Sequence, residues 1–267
     1  MELIYWAGIR GLAYPIQLFL ESHGIDYKYT AIKYDRNTWP GDKREGKLDL
    51  KELPFQCLPV LKVKDEESGE TVALGETHAI LRYFEAKYAP KPQLSLITQA
   101  RIDALFSHAE FFIERTFYRS ASRTWLEPPE RDEAITDVYM PFLRSMENAL
   151  QDQKVVEALW HTSEGQEGAL VPSAAACFVA SAFTMLTDIM PFSLARSSTL
   201  NSKTDGPVKP LASQYPACDK LVSDIEACPG AKEWLGGVTD EWSLSPPFAA
   251  DLVWQAAERW DKIRAGQ

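Results

Sequence analysis

The sequence is poor in the residues that organise metals and disulfides. Four cysteines (Cys57, Cys177, Cys218, Cys228) and four histidines (His23, His78, His108, His161) are scattered over 267 residues. No Cys-x-x-Cys pair occurs, which argues against a zinc site or a disulfide scaffold and predicts reduced thiols. There is no His-Glu-x-x-His, Gly-x-Ser-x-Gly, Walker A or Gly-x-Gly-x-x-Gly pattern. Metalloprotease, α/β-hydrolase, nucleotide-hydrolase and dinucleotide-dehydrogenase readings therefore lose their usual support. Positive charge is also scarce: 28 Lys and Arg against 38 Asp and Glu leave a net charge of −10. An acidic chain is a poor partner for nucleic acid. The most apolar stretch, Ala169 to Leu186, is broken by Pro172, Ser173, Ser181 and Thr184. A membrane span needs about 20 predominantly apolar residues, so this stretch predicts a buried helix at the centre of a helical domain. Met1 to Trp6 carries no basic n-region and the last residues no lipidation motif. The expectation is a cytoplasmic protein without a membrane span.

What is present is ordinary globular material, 45% hydrophobic and 25% charged. Leu3-Ile4-Tyr5-Trp6 reads as a buried strand, Pro15–Glu21 as a helix and Tyr27–Lys33 as a second strand. Pro59–Val63 and Thr71–Leu74 flank the acidic turn Asp65–Gly69, a hairpin signal. Glu76–Tyr88 carries Ile80, Tyr83, Phe84 and Tyr88 at helical spacing. After Ala89-Pro90-Lys91-Pro92, strand signals nearly vanish. Ile97–Arg119, Arg131–Asp152, Pro172–Asp188, Tyr215–Ala227 and Pro246–Ile263 read as helices, and Ser193–Gln214 reads as a mobile loop. The predicted architecture is an α/β domain over 1–90 joined to an all-α domain over 95–267.

Two motifs carry chemical information. In Leu53-Pro54-Phe55-Gln56-Cys57-Leu58-Pro59-Val60-Leu61, a Leu-Pro pair just before a strand suits a cis turn. Such a turn would offer the Leu58 backbone to an extended peptide; the alternative is an ordinary loop proline. In Leu74-Gly75-Glu76-Thr77-His78, Gly75 permits a sharp turn into a helix start. Helix N-termini favour carboxylates. There the Thr77 hydroxyl could donate to a ligand carboxylate while Glu76 pairs with an α-ammonium group. Together they would recognise an amino-acid zwitterion; the alternative is a plain N-cap.

On the Pro-Phe-x-x-Leu-Pro-Val-Leu and Glu-Thr-x-Ala-Ile-Leu-Arg-Tyr segments, followed by a helical domain, the chain resembles cytosolic glutathione S-transferases along nearly its whole length. The resemblance implies a thioredoxin-like N-terminal domain that binds glutathione as co-substrate. It also implies a helical domain that builds the electrophile pocket, a homodimer, and a role in detoxification. No Ser, Thr or Cys lies between Met1 and Glu21, so only Tyr5 and Tyr14 offer a hydroxyl for the sulfur. Tyr5-Trp6-Ala7-Gly8-Ile9-Arg10-Gly11 is similar to the opening of sigma- and mu-like members, with one extra residue. By that resemblance Tyr5 stabilises the thiolate and Arg10 is the nearby cation. Trp39 and Lys43 contact the glycine end, Leu58 and Pro59 the peptide edge, and Glu76 and Thr77 the γ-glutamyl end. Asp103 reaches across the dimer to the γ-glutamyl amine. Phe111, Phe112, Arg115, Tyr118 and Arg119 occupy the helix where the family lines its electrophile pocket. The alternatives are a core aromatic for Tyr5, a surface carboxylate for Asp103, and core packing for about half of the pocket set. One departure is Ala176, where the family's buried helix has an Asp three residues after its Ser cap, here Ser173.

A thiol of pKa about 8.5 is only a few per cent ionised at pH 7. Lowering it by two units takes roughly 2.7 kcal/mol, within reach of a phenol hydrogen bond and a cation. The expected reaction is attack of the glutathione thiolate on a hydrophobic electrophile. The rivals are a glutathione-dependent isomerase, a non-catalytic relative comparable to lens crystallins, and an oxidoreductase with Cys57 as nucleophile.

Overall fold

The computed structural model describes residues 1–6, 11–32, 52–88, 94–115, 135–162, 169–184 and 214–237. Its N-terminal part is a four-stranded sheet with helices against it. Strand β1 spans Glu2–Trp6, helix α1 Tyr14–Ser22, β2 Lys28–Ile32, β3 Val60–Lys64, β4 Thr71–Gly75 and helix α2 Thr77–Tyr88. The strand order is β2-β1-β3-β4, with β1 parallel to β2 and antiparallel to β3, and β3 antiparallel to β4. The central position of β1 explains its unbroken apolar run, since Leu3, Ile4 and Tyr5 are all buried. The hairpin turn is held by Asp65, which accepts from the Ser68 N–H and hydroxyl.

The second part is helical. Helix α3 spans Leu96–Arg115, α4 Met140–Ala149 and α5 Gln153–Ala158; α6 covers residues 174–184; α7 spans Pro216–Glu226 and α8 Pro229–Gly237. Every residue of α6 is buried. Its polar residues are satisfied locally: Ser181 and Thr184 donate to the carbonyls of Cys177 and Ala180. The Ser173 hydroxyl accepts from the Ala176 N–H at 3.1 Å, so the cap survives although the reciprocal Asp is missing. This domain is not free of strands. Trp160–Thr162 (β5) and Leu170–Pro172 (β6) pair antiparallel between α5 and α6. Three-residue runs are too short to show the period-2 pattern on which a strand reading depends.

Helix α1 joins the halves. The Tyr14 hydroxyl donates to Glu226, and its ring lies 6.1 Å from that of Trp234. Gly230 is pressed so closely on α1 that a Cβ there would stand 2.0 Å from the Glu21 carbonyl oxygen. A glycine at that point is therefore a packing requirement. Among the described residues no helix is long and apolar enough to cross a membrane. The linker 89–93, the 193–213 stretch and the C-terminal 238–267 stretch lie outside the described residues.

Candidate active site

Sheet register brings the motifs to one place. Val60 pairs with Gly75, so Leu58-Pro59 and Glu76-Thr77 continue past the same end of the β3–β4 ladder. Ile4 pairs with Val60, so Tyr5 and Trp6 end β1 at that same edge. Three segments far apart in sequence thus converge because antiparallel pairing fixes where each strand stops.

The Leu58-Pro59 bond is cis, as the Leu-Pro-strand pattern predicts. The Leu58 side chain is buried with Ile4, Tyr5, Ala13 and Val60, which fixes the turn's backbone against β1. Gly75 lies against the same turn: a Cβ there would meet Phe55 at 3.1 Å and the Pro54 carbonyl at 3.3 Å. Glu76 follows with φ +67, a left-handed conformation unusual for a non-glycine and characteristic of functional sites. Helix α2 then begins at Thr77, whose first N–H groups have no partner within the helix. Glu76 is exposed and Thr77 buried.

Tyr5 stands at the centre. Its hydroxyl oxygen accepts the Leu12 backbone N–H at 2.9 Å, and its ring is 4% exposed. Gly11, at φ +39, lies directly over it, since a Cβ there would approach the Tyr5 oxygen to 2.3 Å. The other phenol of the first 21 residues, Tyr14, is a core residue bonded to Glu226. The Thr77 Oγ1 donates to the Leu12 carbonyl at 3.0 Å. Leu12 and Gly11 are the residues that sequence reasoning missed. The available signal was the glycine after Arg10, at the turn into α1.

Asp103 lies on α3 and accepts from Arg82 at 3.1 Å and from Gln99 at 3.2 Å within its own chain. Arg82 also donates its Nε–H to His78 Nε2 at 2.7 Å, which leaves His78 Nδ1 to donate to Glu110 at 3.2 Å. His78 and Arg82 thus connect the helix start to α3, a link invisible in the sequence because its partners are 21 and 32 residues away. Of the electrophile-pocket set, Phe111 is exposed, whereas Phe112 is a core residue. Phe112 stacks on Phe142 at 3.7 Å and meets Tyr139 edge-on at 5.9 Å. Helical geometry turns adjacent residues by about 100°, so one faces out and its neighbour in. Arg115 ends α3; its side chain lies outside the described residues, as do Arg10, Trp39, Lys43, Tyr118 and Arg119. Cys57 is half-buried in extended backbone beside the turn. Among the described residues no group of His, Cys, Asp and Glu side chains could hold a metal.

The layering of a thioredoxin-like sheet on a helical domain around a fully buried helix is the glutathione S-transferase fold. The pi-class glutathione S-transferase of Onchocerca volvulus superposes with a TM-score of 0.57, covering 88% of this chain and 91% of that one at 18% identity. No protein-family model matches the chain. In sequence it is 32% identical over 110 residues to a class-mu 26 kDa glutathione S-transferase isozyme of Fasciola hepatica, 38% of this chain and 45% of that one. It is 37% identical over 94 residues to glutathione S-transferase Mu 2 of Macaca fuscata fuscata, 33% of this chain and 38% of that one. The chain thus spans less than half the length of these curated relatives. The chain has the glutathione S-transferase fold and is similar in sequence to class-mu glutathione S-transferases over about a third of its length.

Proposed function

We propose that the protein is a Tyr-type glutathione S-transferase. Glutathione lies extended along the Leu58-Pro59 edge, its γ-glutamyl carboxylate at the start of α2 and its α-ammonium group beside Glu76. The Tyr5 hydroxyl donates to the sulfur and stabilises the thiolate, which attacks a hydrophobic electrophile held by the helical domain. Arg10, Trp39 and Lys43 complete the site in this reading, with Phe111, Arg115, Tyr118 and Arg119 toward the electrophile. A homodimer would bring the partner's copy of Asp103 to the γ-glutamyl amine, in exchange for its bond to Arg82.

The observation that carries the reading is the Leu12 N–H donated to the Tyr5 oxygen at 2.9 Å, at the edge where the cis turn and the helix start meet. A phenol oxygen that already accepts a hydrogen bond tolerates negative charge better, and its O–H is a stronger donor to a thiolate. Retention on immobilised glutathione together with chlorodinitrobenzene conjugation tests the reading. Tyr5→Phe is expected to lower kcat/KM about 100-fold, the equivalent of roughly 2.7 kcal/mol. Conjugation that survives Tyr5→Phe, with a mixed disulfide at Cys57, would transfer the chemistry to the thiol. Thiol addition and loss without net conjugation would make the protein an isomerase.

One observation favours a second reading. Tyr5 is 4% exposed, so its hydroxyl is enclosed by the protein. A non-catalytic glutathione binder would be retained on the resin and show no turnover.

A further inference from the structure

Tyr5, Leu12 and Thr77 form one chain of hydrogen bonds through the Leu12 backbone. Its N–H goes to the Tyr5 oxygen at 2.9 Å, and its carbonyl receives the Thr77 hydroxyl at 3.0 Å. A threonine hydroxyl has one proton. While Leu12 holds that proton, a carboxylate at the start of α2 receives backbone N–H groups and not the Thr77 O–H.

Resting on the reading above, we infer that Thr77 is a positioning residue for the Tyr5 phenol. It anchors the Leu12 carbonyl, fixes the direction of the Leu12 N–H and so sets how strongly Tyr5 can stabilise the sulfur. The helix start that receives one end of the substrate thereby tunes the group that activates the other end.

Two further features support the coupling. Thr77 is itself buried, so its hydroxyl is withheld from water and committed to the Leu12 carbonyl. Gly11 closes the other side, since a Cβ there would stand 2.3 Å from the Tyr5 oxygen. The phenol is thus held between a backbone donor whose direction Thr77 fixes and a turn without room for a methyl group.

The test is the pKa of glutathione bound to the purified protein, read by ultraviolet absorbance of the thiolate and by the pH profile of kcat/KM. Thr77→Val keeps the helix N–H groups and removes the hydroxyl. It is expected to keep the protein on immobilised glutathione while raising the bound-thiol pKa by about half to one unit, roughly a 3–10-fold loss of thiolate below the pKa. Thr77→Ser restores the hydroxyl and is expected to restore the pKa. Adding Thr77→Val to Tyr5→Phe is expected to raise it no further. Gly11→Ala, which displaces the phenol without touching α2, gives an independent arm and is expected to raise the same pKa. Loss of glutathione binding in Thr77→Val with a normal pKa in Gly11→Ala would overturn the inference, assigning the hydroxyl to the substrate carboxylate. So would an unchanged bound-thiol pKa in Thr77→Val where Tyr5→Phe raises it. An unchanged pKa in Tyr5→Phe removes the underlying reading instead, so the two failures are distinguishable.

Discussion

Two helix N-termini in this chain meet carboxylates in opposite ways. Helix α7 is capped from within: both Glu147 oxygens accept the Ala217 N–H at 3.0 Å, and one also accepts the Cys218 N–H at 3.1 Å. Glu147 is buried, so a desolvated carboxylate is held by the helix's free donors and dipole. Helix α2 begins beside the sheet edge with Glu76 turned to solvent, and among the described residues no side chain caps its first N–H groups. The electrostatics are the same at both ends. The difference is whether the chain supplies its own anion. At α7 the chain supplies that anion and the helix start is structural; among the described residues none is supplied at α2.

Variants can break that contrast. At neutral pH the largest effect is expected for Glu147→Ala, which strands the buried Cys218 N–H and the half-buried Ala217 N–H and should cost about 2–3 kcal/mol, read as a lower thermal midpoint with glutathione binding intact. A midpoint within a degree of the parent would show that the internal anion is dispensable. Next is acid stability. Burial, opposed by the Nδ1–H bond to the Phe19 carbonyl, lowers His23 to about 4 from an ordinary 6.5. Between these pH values the unfolded chain takes up a proton that the folded one refuses. This group's contribution to stability is therefore complete above about pH 6.5 and falls toward pH 4, by about 3 kcal/mol. Glu21, pushed up by burial, works in the opposite sense, so the comparison is with His23→Gln, in which denaturation midpoints over that window should flatten. The third effect belongs to the open helix start. Glu76→Gln is expected to raise KM for glutathione about 10-fold, some 1.4 kcal/mol, without shifting the melting midpoint. A loss of stability there would make Glu76 structural and dissolve the contrast. The smallest is Phe111→Ser, expected to alter stability by under about 0.5 kcal/mol because the ring is exposed, while any change in electrophile KM would mark it as pocket lining.

Legibility followed distance in sequence. The strand at Leu3–Trp6, the hairpin around Asp65–Gly69 and the helix after Gly75 are local patterns, and the structure contains each of them. The buried helix was readable because its apolar run is continuous and its few hydroxyls bond the turn behind them. The cis Leu58-Pro59 turn was readable as a motif. The direction of the Thr77 hydroxyl was not, since its acceptor lies 65 residues earlier. Nor was Glu147, which looks like any helix-surface carboxylate until α7 is placed against it, 70 residues on. Phe111 and Phe112 show the limit on α3, where the sequence carries two identical rings and only packing separates them.

Gly230 has a bearing on how the molecule comes apart. With Gly230 seated on the last turn of α1, and Tyr14 reaching Glu226 from the first turn, that helix is gripped along its length by the far end of the described chain. The two halves therefore share a structural member instead of merely touching. Heating should produce a single transition in which the sheet and the late helices are lost together. Proteases acting on the native protein should not release a sheet fragment that survives alone, because such a fragment would leave α1 with one side stripped.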